Sequence, residues 1–126
     1  MTTQREIPPP GPKRDKMLAE LLGGSYSYGH VMFPKEGLIT HWFEYPSRDD
    51  HSAFDLVCWL STRKPKETQW GLTITHHYGD GVGVIALSPG LSVNQPESVW
   101  GDTYAAAVTE AILRAAPQEP DRAEEV

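Results

Sequence analysis

The chain has 126 residues, a formal net charge of -6, and 39% hydrophobic and 10% aromatic residues, which suits one domain with its own core and excludes wholesale disorder. The acidic balance argues against a broad grip on nucleic-acid phosphates, and the single Cys58 excludes an internal disulfide and a cysteine-based zinc site. No apolar run of about 18 residues is present to cross a membrane, and the start of the chain lacks the basic-then-apolar order of a signal peptide, so a soluble, cytoplasmic protein is expected.

Residues 1–14, with Ile7-Pro8-Pro9-Pro10-Gly11-Pro12, read as an extended, disordered proline-rich arm, because prolines donate no backbone hydrogen bonds and push their predecessors out of the helical region. Residues 117–126 are acidic and proline-punctuated and read as a solvated tail. The intervening 15–116 form the expected domain. Asp15 is placed to cap a helix over 16–22, with Leu18, Leu21 and Leu22 as its apolar stripe and Gly23-Gly24 to end it. The Gly-, Ser- and Tyr-rich stretch 25–33 reads as an irregular connection with a short strand at 30–33. Leu38 to Tyr45 has strand composition and stops at Pro46.

Asp49 can cap a helix on which Ala53, Leu56, Val57 and Leu60 recur at helical spacing, with Ser52 as a second capping register. From Trp70 the apolar period changes to two. Leu72, Ile74 and His76 share one face of a strand that turns at Asp80-Gly81 and returns as 82–87, and a two-residue turn there puts Ile85 and Leu87 on the Ile74 side. A long connector follows, with a short strand near 91–93. Asp102 then caps a closing helix from Thr103 to about Ala116, whose Tyr104, Ala107, Val108, Ala111 and Ala115 make a narrow stripe. This order of elements predicts an α+β fold, a small layered domain with a mixed or antiparallel sheet around a central hairpin.

Two segments resemble a known family, the phage ABA sandwich domain. Its segment approximating Tyr-Ser-Thr-Asp-Ile-Ala-Ala-Ala-Trp-Glu-Val-Val is similar to residues 46–57, where the aspartate falls on Asp49, the tryptophan on Phe54 and the glutamate on Asp55. Its closing Ala-Ile-Cys-Arg-Ala-Ala is similar to Ala111-Ile112-Leu113-Arg114-Ala115-Ala116. The resemblance implies an α-β-α layered sandwich and a phage or prophage origin, and it supplies no catalytic residues.

His76 and His77 are neighbours on a strand and point to opposite faces, which disfavours a shared metal. Cys58 lies beside Val57 and Leu60 without a base at helical spacing, so burial is the favoured reading over nucleophilic catalysis. The glycines around Asp80 lack the lysine and following helix of a phosphate loop. Stacking surfaces come from Tyr26, Tyr28, Trp42, Tyr45, Trp70 and Tyr78, while Arg48, Arg63, Lys64 and Lys66 offer local positive charge. The resulting expectation is a non-enzymatic accessory protein that binds a small nucleotide-like ligand or a host protein through Trp42, Arg48, Trp70, His76, His77 and Tyr78. Counter-defence is the setting that the phage resemblance suggests. No catalytic residue, metal or cofactor is assigned, and a homo-oligomer is an expected partner state. Two other readings stay open: a hydrolase using His76 or His77 with Asp80, and a structural oligomer.

Overall fold

Proline at the first position of a helix loses nothing, since its missing N–H would have no partner there and its φ is already helical. Pro12 uses that position. The computed structural model describes residues 6–35, 38–63, 68–77, 81–87 and 98–116, and in it α1 spans Pro12–Leu22 behind an N-cap at Gly11 that makes no side-chain capping bond. The helix therefore starts about a turn before the expected Lys16. Asp15, expected as the cap, is instead inside the helix and fully buried. Gly23, at φ 88°, ends α1, and the Gly24 N–H donates to the Ala19 carbonyl at 2.7 Å. A side chain on Gly24 would strike the Met32 carbonyl and the Phe33 ring, so the paired glycines serve two needs, a left-handed turn and a close approach of chain to chain.

The stretch expected to be irregular apart from a short strand at 30–33 is a hairpin, whose second strand is the expected one, extended to Lys35. Strands β1 (Ser25–Ser27) and β2 (His30–Lys35) pair antiparallel with Ser27 opposite His30, and β2 pairs in turn with β3 (Leu38–Glu44). Alternation along these strands buries Val31, Phe33 and Phe43. Helix α1 packs on β1 and β2, and α2 (Asp50–Ser61) packs on β3. Phe33, Phe43 and the half-buried Trp59 of α2 meet as an aromatic cluster, with the Phe33 and Trp59 ring centroids 4.3 Å apart.

Helix α2 starts as its sequence predicts: the Asp49 carboxylate accepts from the His51 N–H at 3.3 Å and from the Ser52 hydroxyl at 3.1 Å. Ala53, Leu56 and Leu60 form its buried stripe. Cys58, expected to be buried, is exposed. Two residues beyond Leu56 is a rotation of about 200° around the helix, which carries the thiol away from that stripe.

The central hairpin is present with a different register. Strands β4 (Gly71–His77) and β5 (Gly81–Leu87) pair Ile74 with Val84 and His77 with Gly81. Gly81 already belongs to β5, so three residues separate the paired ends where a two-residue turn was expected. An odd shift of register exchanges the faces. Val82, Val84 and Ala86, not Ile85 and Leu87, therefore share the core side with Leu72 and Ile74, and Val84 is fully buried. Strand β6 (Val99–Gly101), unexpected within the connector, completes this second sheet.

Helix α3 (Tyr104–Ala115) packs on β5 and β6 and against α1 and α2. Its cap is Thr103, whose hydroxyl accepts from the Ala106 N–H at 3.1 Å, one residue after the expected Asp102. Asp50, at the start of α2, accepts from the Ala105 N–H at 2.9 Å and so joins the beginnings of two helices. Among the described residues the result is an α+β fold of three helices and two antiparallel three-stranded sheets arranged around them, consistent with the expected α-β-α layered sandwich. The expected strand near 91–93 and residues 117–126 lie outside the described residues.

Replacing Asp49 with alanine should lower the unfolding free energy by about 1 kcal/mol, the usual value of an N-cap. Urea titration of Asp49→Ala and Ser52→Ala checks this, with the larger loss expected at Asp49 because it alone accepts from a helix amide.

Candidate binding surface

Where one side of a strand is buried, its alternate residues are displayed on the other. Opposite Val31, Phe33 and Phe43, the first sheet carries Ser25, Ser27, His30, Met32, Trp42 and Glu44, and none of these six is buried. Trp42 is 65% exposed. Its indole lies nearly parallel to the His30 imidazole, with centroids 5.1 Å apart and an interplanar angle of 18°. The Nε2 of His30 is 3.1 Å from Oε2 of Glu44, so an aromatic pair and a carboxylate occupy adjacent cross-strand positions.

The end of this face is built from an uncommon backbone. Tyr28 at φ 47° and Gly29 at φ 83° form the two-residue loop between β1 and β2, and positive φ at both positions matches the right-handed twist of the strands. Asparagine or glycine ordinarily occupies the first of these positions, because a Cβ there costs about 1 kcal/mol. Tyr28 is 91% exposed, so packing does not offset that cost. Tyr45 also has φ 47°, and its surroundings account for it. Its N–H donates to the Gly29 carbonyl at 2.9 Å, its ring lies where a Gly29 side chain would be, and the Arg48 guanidinium sits 4.8 Å above the ring centroid.

Arg48 has a second commitment. Its Nη2 is 3.7 Å from Oδ2 of Asp15, a fully buried oxygen that accepts no hydrogen bond. The other oxygen of Asp15 accepts from the Ser47 N–H at 2.9 Å, and the Ser47 hydroxyl accepts from the Gly11 N–H at 2.9 Å. Beside them the buried Arg14 donates to the carbonyls of Pro8 and Ala106 and to the Thr109 hydroxyl. Burial pushes the Arg14 guanidinium below its ordinary pKa, and Glu110 and Asp15 act in the opposite direction. A phosphate drawn to Arg48 would compete with a carboxylate that has no access to water.

The expected site residues are dispersed. Trp42 stands on the open face and Arg48 lies past its end. Trp70 is 4% exposed, in the core cluster, with its N–H donating to the Leu60 carbonyl. His76 and His77 take the β4 positions opposite Val82 and Gly81, while Tyr78 and Asp80, and with them the His/Asp pair, lie outside the described residues. Tyr26 is half-buried against the core. The Arg63 guanidinium covers the Trp59 ring at 4.6 Å, and Lys64 and Lys66 lie outside the described residues. Among the described residues no group of three or more His, Cys, Asp or Glu side chains is disposed to hold a metal, and no helix is long and apolar enough to cross a membrane.

His30 and Glu44 were missed by sequence reasoning. Their signal was the alternation of β3, which puts Trp42 and Glu44 on one side and Phe43 on the other. A smaller exposed aromatic group stands elsewhere: Phe54 of α2 lies near Tyr104 of α3, with centroids 6.5 Å apart.

No protein-family model matches the chain, and no curated protein matches it. Its fold is similar to a solved structure described as a phage protein from Bacillus cereus ATCC 14579, with a TM-score of 0.53 and 18% identity over 92% of this chain and 100% of that one.

If the Tyr28 backbone is strained as described, Tyr28→Asn should raise the unfolding free energy by up to about 1 kcal/mol. Thermal and urea unfolding of the variant test this, and a loss of stability would mean that the tyrosine ring contributes packing in the folded state.

Proposed function

We propose that this protein is a phage or prophage accessory factor that acts by binding a host protein in the cytoplasm, and that the open face of the first sheet, with Tyr28, Trp42 and Tyr45, is its recognition surface. The observation that carries the reading is Tyr28, a large aromatic side chain held at positive φ and almost wholly in solvent. Strain without a packing return is typical of positions kept for what they contact. Exposed tyrosine and tryptophan are also the side chains that most often anchor protein interfaces.

A protein partner fits the surface better than a nucleotide-like ligand. The ring of Trp42 lies on a sheet face with one side already occupied by His30, and the nearby guanidinium of Arg48 is engaged by Asp15 and Tyr45. The phage setting is supported by the fold likeness and by the two resembling segments, and counter-defence is one role such a factor would have.

The test is affinity purification from host-cell lysate with the wild-type chain and with a Tyr28→Asn, Trp42→Ser double variant, both verified as folded by circular dichroism. A partner recovered by the wild type and lost with the variant is expected. A partner retained by the variant would place recognition elsewhere. Native mass spectrometry of the same material supplies the opposite outcome, since a nucleotide released on denaturation from both forms would replace this reading with ligand sequestration.

A further inference from the structure

A helix face with opposite charges at its two ends is complementary to itself when two copies run antiparallel, because a two-fold axis sets each end against the opposite one. Helix α2 has such a face. Its buried residues Ser52, Ala53, Leu56 and Leu60 fix one side. At about 100° per residue the other side carries His51, Phe54, Asp55, Cys58 and Thr62, all exposed. Cys58 stands at the middle of this stripe, Phe54 is 54% exposed, Asp55 is in the first half and Arg63 lies just past the end. Arg14, Arg48 and Arg114 face carboxylates at 3.9, 3.7 and 2.9 Å. Arg63 instead rests on the Trp59 ring, 4.6 Å from its centroid, and burial pushes its pKa down with no carboxylate acting in the opposite direction among the described residues. Asp55 and Arg63 are separated by about 12 Å of helix rise, too far to pair within one chain. Asp55 also has capacity left: His51 approaches one of its oxygens at 3.6 Å, both side chains stand in solvent, and a carboxylate accepts on both oxygens.

We infer that α2 docks on the α2 of a second copy, antiparallel across a two-fold axis at Cys58, with Asp55 of each copy paired to the partner's Arg63. The axis sets the level of every residue. With Cys58 opposite the partner's Cys58, Phe54 lies level with the partner's Thr62, and Asp55 lies within about 3 Å of helix rise of the partner's Arg63. Both charges stand on one flank of the stripe, since Asp55 precedes Trp59 by one turn and Arg63 covers the Trp59 ring. A two-fold axis perpendicular to the helices keeps that flank on one side, so each carboxylate meets a guanidinium and not its own copy. The two Phe54 rings supply the apolar contact, and the ion pairs fix register and orientation. This surface is separate from the recognition face, because the α2 ring Trp59 packs on Phe33 and Phe43, the covered side of the first sheet.

The experiment is sedimentation velocity of the full chain under reducing conditions, over a concentration series at low and high salt. A reversible species of twice 14.0 kDa is expected, weakened by salt. A short bismaleimide should join two chains through Cys58, the one thiol in the sequence. Asp55→Arg and Arg63→Asp should each raise the dimer dissociation constant about tenfold or more, and the double variant should recover it. Phe54→Ser should weaken the dimer and leave its salt response in place. Circular dichroism checks the fold of each variant; if Arg63→Asp does not fold, Asp55→Arg decides alone, since Asp55 is exposed. The inference is overturned by a chain that stays monomeric at the highest concentration, by a dimer indifferent to the charge reversals, or by a double variant no better than the single ones. A dimer lost in the Tyr28→Asn, Trp42→Ser variant would overturn it as well, by moving self-association to the first sheet. A lysate partner retained by that variant while the dimer stays intact would discard only the recognition face and leave this inference standing.

Discussion

A carboxylate with no access to water must have its charge answered by the protein, and Asp15 is such a group. Its partners come from the segment between β3 and α2: the Ser47 N–H on one oxygen and the Arg48 guanidinium near the other. Removing either partner would leave a buried charge short of compensation, a state that costs several kcal/mol. The arrangement fixes where the 45–49 segment crosses α1. Gly11, bonded to the Ser47 hydroxyl in both directions, ties the proline arm to the same point, and Arg14 extends the junction to α3 through Ala106 and Thr109. Polar contacts of this kind contribute position more than net stability, because their desolvation offsets much of their attraction.

That junction explains why the early part of the chain was only partly legible. A Ser, Asp or Asn before an apolar stripe is the ordinary sign of a helix start, and Asp15 carries it, but Pro12 supplies a competing start whose φ needs no capping side chain. Arg14 gave no signal because a single arginine in a first turn normally points to solvent. By contrast Asp49, the α2 stripe and the two strands of the central hairpin were readable from local chemistry alone. The hairpin faces were not, since one extra residue in a turn reverses them, and the composition around Asp80-Gly81 is compatible with either loop length. Thr103 in place of Asp102 at the α3 cap is a smaller matter of one position between two good capping residues.

The first hairpin failed for a different reason. Its turn is a positive-φ pair with tyrosine where asparagine or glycine would announce it, so composition alone hid β1 and its pairing with the short strand expected at 30–33. Sites where local preference and observed structure disagree are those where something other than folding has set the residue. Trp42 was legible as a candidate because it is large and aromatic. Its relation to His30 and Glu44 was not, because it depends on the pairing of β2 with β3 across a register shift at Phe33 and Pro34.

The strained turn and the buried carboxylate are linked through Tyr45. Its backbone holds Gly29, its ring fills the space beside that glycine, and Arg48 lies on the ring while facing Asp15. The tip of the first hairpin is thereby braced against the junction of α1 with the loop before α2. A recognition surface gains from such bracing, since rings already held in place lose less freedom when a partner arrives. Asp15, Ser47 and Arg48 keep the platform in position, while Tyr28 and Trp42 project from it into solvent, where substitutions leave the core closed.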